Sequence, residues 1–179
     1  MTKHLITPLT EDMIKDLKAG DTVTVTGTIY TARDAAHKRL VTLIKEGKEL
    51  PLDLRGQIIY YAGPTPAKPG CVIGSIGPTT SGRMDPYAPT LMKECGLKGI
   101  IGKGQRNDSV RKSIKENTCV YMAATGGAGA LLRKHIKACE IVCYEDLGCE
   151  AIRKLTVDCL PAVVINDCEG NDFYRKDKI

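Results

Sequence analysis

Residues 77–84 read GPTTSGRM, a glycine, four residues and a second glycine, then Arg83 and Met84. The spacing approaches the phosphate-binding loop G-x-x-x-x-G-K-S/T, whose lysine reaches the phosphates and whose hydroxyl ligates magnesium. Met84 cannot ligate magnesium, and an arginine stands where the lysine belongs. What remains is a nest of loop amides, the hydroxyls of Thr79 and Thr80, and a guanidinium fork. Arginine meets a carboxylate with two parallel hydrogen bonds, which lysine cannot do. The loop therefore reads as a carboxylate binder in which Thr79 or Thr80 is free to join the chemistry. A purely structural turn is the competing reading.

Three more stretches carry reactive or charged side chains. TARDAAHKR, residues 31–39, leaves a strand and enters a helix. Arg33 thus sits at a strand end, where side chains commonly line a ligand crevice, although a surface pair with Asp34 or another acid explains the same spacing. His37 has no partner nearby and reads as solvated or capping rather than as a base. In LKGIIGKGQR, residues 97–106, Lys103 lies between Gly102 and Gly104 just after an apolar run. Flanking glycines permit close approach to a ligand, and a partly desolvated lysine is a competent charge stabiliser. Most lysines, however, are simply solvated. ATGGAGALL, residues 124–132, lacks the full G-x-G-x-x-G pattern and reads as a loop packed near the site, without a dinucleotide.

Composition narrows the classes. The 179 residues suit one domain over 1–179, and the net charge of +5 comes with 21 acidic residues and 4% aromatics. Single-strand nucleic-acid binders need aromatic platforms beside a basic groove, so no nucleic acid is expected. A small anion fits the balance better. The eight cysteines, at 71, 95, 119, 139, 143, 149, 159 and 168, never form C-x-x-C. Zinc and iron–sulfur sites usually show such a pair, so no metal is expected on this chain and the thiols read as reduced and structural. The start MTKHLITPLT lacks the apolar core of a signal peptide, and no run reaches the roughly 18 apolar residues of a membrane span. A cytoplasmic protein with no membrane contact is the expectation.

The elements that must position these residues alternate between strand and helix. Thr10 caps a short helix that stops at Ala19-Gly20-Asp21, and residues 22–30 alternate as a strand. Asp34 caps a helix running to about Gly47. Residues 58–61 and 71–76 read as strands separated by GPTPAKPG. A helix opens at Asp85-Pro86 and closes at Gly96. Strand 98–102, a helix from Asp108, strand 119–124 and a helix over 126–138 follow. Strands at 140–145, 154–159 and 162–167 close the chain before a frayed tail, RKDKI. The class is α/β, a mixed sheet with about five helices.

TARDAAHKR, GPTTSGRMDPYAP, KGIIGKG and YEDLGCEAIRKLTV, in that order over roughly residues 22–174, resemble the β subunit of iron–sulfur hydro-lyases. The group is class I fumarate hydratase and L(+)-tartrate dehydratase, in which the same unit also forms the C-terminal domain of longer chains. The resemblance implies a swivelling β/β/α domain and reversible addition of water to an unsaturated dicarboxylate. It implies a 4Fe–4S cluster held by three cysteines of a partner α subunit, with none of its ligands here, in an α2β2 assembly. It implies that Arg33 and Arg83 bind substrate carboxylates, that Lys103 joins them, and that Thr79 is the base at carbon, with Thr80 as the rival hydroxyl. Fumarate is expected ahead of tartrate. A nucleotide-binding loop protein and a non-catalytic swivelling or assembly module are the other classes; Met84 opposes the first, and intact Arg33, Thr79, Arg83 and Lys103 oppose the second.

Overall fold

The computed structural model describes residues 1–175. Its organising strand is β2 (Thr22–Thr31), in which Val23, Val25 and Ile29 are fully buried while Thr22, Thr24 and Thr26 stay accessible. One edge of β2 pairs in parallel with β1 (Lys3–Ile6) and, farther along, with β3 (Ile58–Tyr60). The other edge is paired antiparallel by the long β7 (Ile152–Asn166). From β3 the sheet continues in parallel through β4 (Gly99–Gly102) and β5 (Val120–Ala123), and β5 pairs back onto the far end of β7. The pairings β2–β3–β4–β5–β7–β2 close a ring, flanked by β1 and by β6 (Ile136–Cys143).

Period-two alternation divides the ring's side chains between two cores. Ile58, Tyr60, Ile101, Val120 and Met122 enter one. Ile59, Tyr61, Ile100 and Tyr121 turn the other way, onto the layer of α2 (Asp34–Lys45), α3 (Ala88–Cys95) and α4 (Asp108–Glu116). These helices have 12, 8 and 9 residues, at or below the about 12–15 at which an isolated helix is marginal. Burial of Leu40, Leu91 and Ile114, roughly 1.5–3 kcal/mol for each side chain, is what holds them.

The mixed α/β class and its five α-helices form, with α1 (Glu11–Lys15) and α5 (Gly129–Leu132) completing the set among the described residues. Thr10 caps α1, its hydroxyl accepting from the Met13 amide. Several local expectations are corrected. β1 has no foreseen counterpart. Residues 71–76 form a loop instead of a strand, because both edges of β3 are taken by β2 and β4. The loop folds back on itself, with Thr65 N donating to Ser75 O and Ser75 N to Thr65 Oγ1.

Arg33 rather than Asp34 is the N-cap of α2, and no side chain of its own caps it. The helix expected from Asp85 begins at Ala88, after a 3-10 turn at Ser81–Met84, and the early proline is Pro89. Gly96 does close it, at φ 65°, where a side chain would be strained. α5 ends at Leu132 and β6 starts at Ile136, earlier than the expected strand. The two final strands are one. A bulge joins them, with Cys159 at φ 51° opposite the register shift between Val25 and Gly27. Of the tail, Arg175 closes a 3-10 turn at Phe173–Arg175, and the rest lies outside the described residues.

Candidate functional site

Because β2, β3, β4 and β5 are parallel, their C-terminal ends meet at one end of the ring. All four stretches singled out in the sequence lie there. Arg33 follows β2, the Thr79 loop returns to β3, Lys103 follows β4 and Gly126 follows β5. This is where ligands bind in parallel sheets.

Backbone hydrogen bonds stitch the loops together. Thr79 N donates to Tyr61 O at the end of β3 (2.6 Å), Lys103 N donates to Thr79 O (3.3 Å), and Ser81 N donates to Lys103 O (2.9 Å). Thr80 and Lys103 thereby pair as an isolated parallel bridge beyond the end of β4. The close approach dictates glycine at 102, where a Cβ would stand 2.0 Å from Ser81 Oγ. Thr79 is half-buried, while Thr80 and Lys103 are exposed. ATGGAG does pack on the site, since a Cβ at Gly126 would lie 3.6 Å from Lys103 Cδ and 3.9 Å from its Nζ.

Of the three cations at this end, two are paired with acids. Arg83 meets Asp34 side-on, Nε to Oδ1 at 3.0 Å and one Nη to Oδ2 at 2.8 Å. That contact uses one edge of the guanidinium and leaves the end-on edge, on a half-exposed side chain, for a second carboxylate. Arg33 pairs with Glu150 at 3.4 Å rather than with Asp34, and its buried Nε has no hydrogen-bond partner. The second oxygen of Glu150 accepts from Ala35 N (3.0 Å) and so satisfies the start of α2. Among the described residues no acid or hydrogen-bond acceptor engages Lys103 Nζ. Its charge is the unbalanced one.

Two features escaped the sequence. His37, expected to be solvated or capping, is wholly buried with its ring edge-on to Tyr61. Nδ1–H donates to Arg33 O (2.8 Å), since a carbonyl can only accept, which leaves Nε2 unprotonated and without a partner. Burial pushes its pKa down to about 4. From about pH 6.5 to pH 4 the unfolded chain takes up a proton that the folded chain refuses, so stability falls with pH across that window. The loss should reach about 3 kcal/mol at its foot. Urea unfolding of the wild type and of His37→Gln from pH 7 to pH 4.5 should show a shallower pH slope in the variant; equal slopes would remove this role.

The other feature is a buried ion pair, Arg106 Nε to Asp85 Oδ1 at 2.7 Å, directly behind the loops. Asp85 belongs to GRMD and was read only as a helix start. An acid following the anion loop, with an arginine just past GKG, is the signal that could have found it.

The cysteines do not assemble. Cys71, Cys149 and Cys159 are exposed, while Cys119 is buried with its thiol pushed up to about 12 by desolvation. Among the described residues no three His, Cys, Asp or Glu side chains form a group able to hold a metal ion. The residues present therefore do not fit an iron–sulfur cluster. No described helix is long and apolar enough to cross a membrane.

Residues 2–177 match the family model described as fumarase C-terminus. The chain is 41% identical over 155 residues to the class I anaerobic fumarate hydratase of Escherichia coli, covering 86% of this chain and 28% of that protein. It is 37% identical over 155 residues to the mitochondrial fumarate hydratase 1 of Leishmania major, with the same coverage. A Methanocaldococcus jannaschii chain carrying the name L(+)-tartrate dehydratase subunit beta is 38% identical over 179 residues, 97% of this chain and 92% of that one. The chain thus spans little more than a quarter of the fumarate hydratases it matches, and nearly the whole of the separate subunit.

Proposed function

Since the chain belongs to the fumarase C-terminus family, we propose that it is the β subunit of a hydro-lyase that reversibly hydrates fumarate to malate. The observation that carries the reading is the convergence of Thr79, Arg83 and an unpaired Lys103 at the strand ends, stitched by the Thr80–Lys103 bridge. Arg33 and Arg83 bind the two carboxylates, each steadied by an acid of its own. In the dehydration direction Thr79 takes the proton from the carbon next to a carboxylate. The electron pair moves onto that carboxylate, where Lys103 and the arginines stabilise the charge as it develops, and returns to form the C=C bond as the C–O bond of the neighbouring carbon breaks. Thr80 lies beside them at the substrate-binding wall.

A threonine hydroxyl is a poor base in water, so this role needs the neighbouring cation and loop dipoles. The electrophile that accepts the departing hydroxide is not among this chain's groups. On the resemblance an α subunit would hold a 4Fe–4S cluster that would supply this Lewis acid, in an α2β2 assembly within a reducing cytoplasm. Exposed Lys103, Thr80 and Arg83 fit a half-site that another chain closes. Dehydration of L(+)-tartrate to oxaloacetate is the second reading, favoured by the near full-length match to a separate subunit of that name.

The test is reconstitution. The purified chain alone should not remove fumarate absorbance. Anaerobic co-production with a cluster-bearing α chain should restore turnover, and a side-by-side assay with L(+)-tartrate ranks the two substrates. Robust turnover by this chain alone would place the whole site within its residues and end the two-subunit reading.

A further inference from the structure

The Arg106 side chain is wholly buried. Its guanidinium lies between two tyrosine rings, 5.4 Å from Tyr61 and 4.9 Å from Tyr121. Nε donates to Asp85 Oδ1 at 2.7 Å, and Asp85 Oδ2 accepts from Asn107 N at 2.8 Å. Each partner leads to one of the site loops. Asp85 N donates to Gly82 O and closes the 3-10 turn that carries Arg83. Tyr61 O accepts from Thr79 N. Tyr121 OH lies 2.7 Å from Gly104 O and 3.0 Å from Ser81 Oγ, between the Lys103 loop and the Thr79 loop.

We infer that Arg106 and Asp85 are positioning residues, a buried clamp that sets Lys103 at a fixed distance from Thr79 and Arg83. The inference rests on the functional reading above for the chemistry that the clamp serves. A buried pair is weak evidence for stability, because well-packed apolar residues of similar volume usually replace it without loss. What apolar side chains cannot supply is direction. Nε holds Asp85, one Nη reaches Tyr61 OH at 3.5 Å, and the carboxylate joins the end of one loop to the start of the next. Loops joined by a short backbone bridge and by single hydrogen bonds through Ser81 and Tyr121 need such a tie behind them if the proton-abstracting hydroxyl and the charge-stabilising ammonium are to keep their spacing. A misplacement of about 1 Å between such groups costs on the order of 100-fold in rate.

Two variants test this in the assembled enzyme and in the chain itself. Arg106→Lys keeps the charge and loses the fork. The double variant Arg106→Met with Asp85→Leu removes both charges, so neither is left buried alone. Both should melt close to the wild type and keep the amide protection of β7, for instance at Leu155. The amides of Ser81 and Lys103 should exchange at least about tenfold faster, since local opening sets their protection. In the assembled enzyme kcat should fall about 100-fold with KM within about threefold. Unchanged exchange at Ser81 and Lys103 in both variants would overturn the clamp. So would deprotection that extends equally to β7, or faster loop exchange with kcat untouched. A wild-type assembly that turns over neither fumarate nor tartrate would instead sink the functional reading, and the exchange measurement would still decide the clamp.

Discussion

Thr79→Ala should lower kcat of the assembled enzyme by 100-fold or more while leaving KM nearly unchanged. General acid–base catalysis is worth roughly 10²–10⁴-fold, and the hydroxyl assigned to proton abstraction contributes only where a proton is moving. The substitution removes two heavy atoms from a half-buried side chain. The backbone bonds of Thr79 to Tyr61 O and from Lys103 N stay available, so the loop should persist. Thr80→Ala, at an exposed neighbour on the same loop, should cost less than about tenfold. The pair of variants is decisive because the two hydroxyls are adjacent and only one can face the substrate carbon. If Thr80→Ala proves the crippled enzyme and Thr79→Ala the mild one, the base is Thr80.

Arg83→Lys is the second large effect. The guanidinium spends one edge on Asp34 and has its end-on edge left for a carboxylate. An ammonium is a point charge on a shorter reach. It cannot hold Asp34 at two oxygens and present a second planar fork as well. With Asp34 close by, the lysine would settle onto that carboxylate and leave the substrate side empty. Loss of a donor that strengthens in the transition state costs about 2.7–4 kcal/mol, or about 100- to 1000-fold, here with a rise in KM because the ground-state carboxylate is bound too. Turnover and KM near wild type would refute the assignment of Arg83 to the substrate. A useful companion is Asp34→Asn, which keeps the residue's shape and frees the arginine from its charged partner.

Both effects fall on residues that the amino-acid sequence itself brings forward. The residues of the candidate site are legible because their neighbours in sequence carry the signal. Glycines bracket Lys103, GPTTSGR arranges amides, hydroxyls and a fork within seven residues, and Arg33 follows a run of alternating threonines. β2, β4, β5, α2 and α4 were legible for the same reason, since alternation and capping are local. The elements that failed depend on competition for partners. Residues 71–76 are as apolar as a strand, but no edge of the ring was left for them to join.

Charge pairing at the candidate site was decided by the tertiary structure. By spacing, Arg33 could take Asp34; in the fold Asp34 goes to Arg83, 49 residues away, and Arg33 goes to Glu150. His37 looked solvated, yet the fold encloses it between α2 and Tyr61 with one nitrogen on a backbone carbonyl. Asp85 read only as a helix start and Arg106, 21 residues away, drew no reading, yet the fold buries them as a pair. Sequence by itself determines which chemical groups a loop can offer, because that depends on residue type and on the few backbone torsions around it. Which acid neutralises which base depends on the three-dimensional path of the whole chain, since a Coulomb attraction or a hydrogen bond acts over a few ångströms and takes no account of the number of residues between its partners.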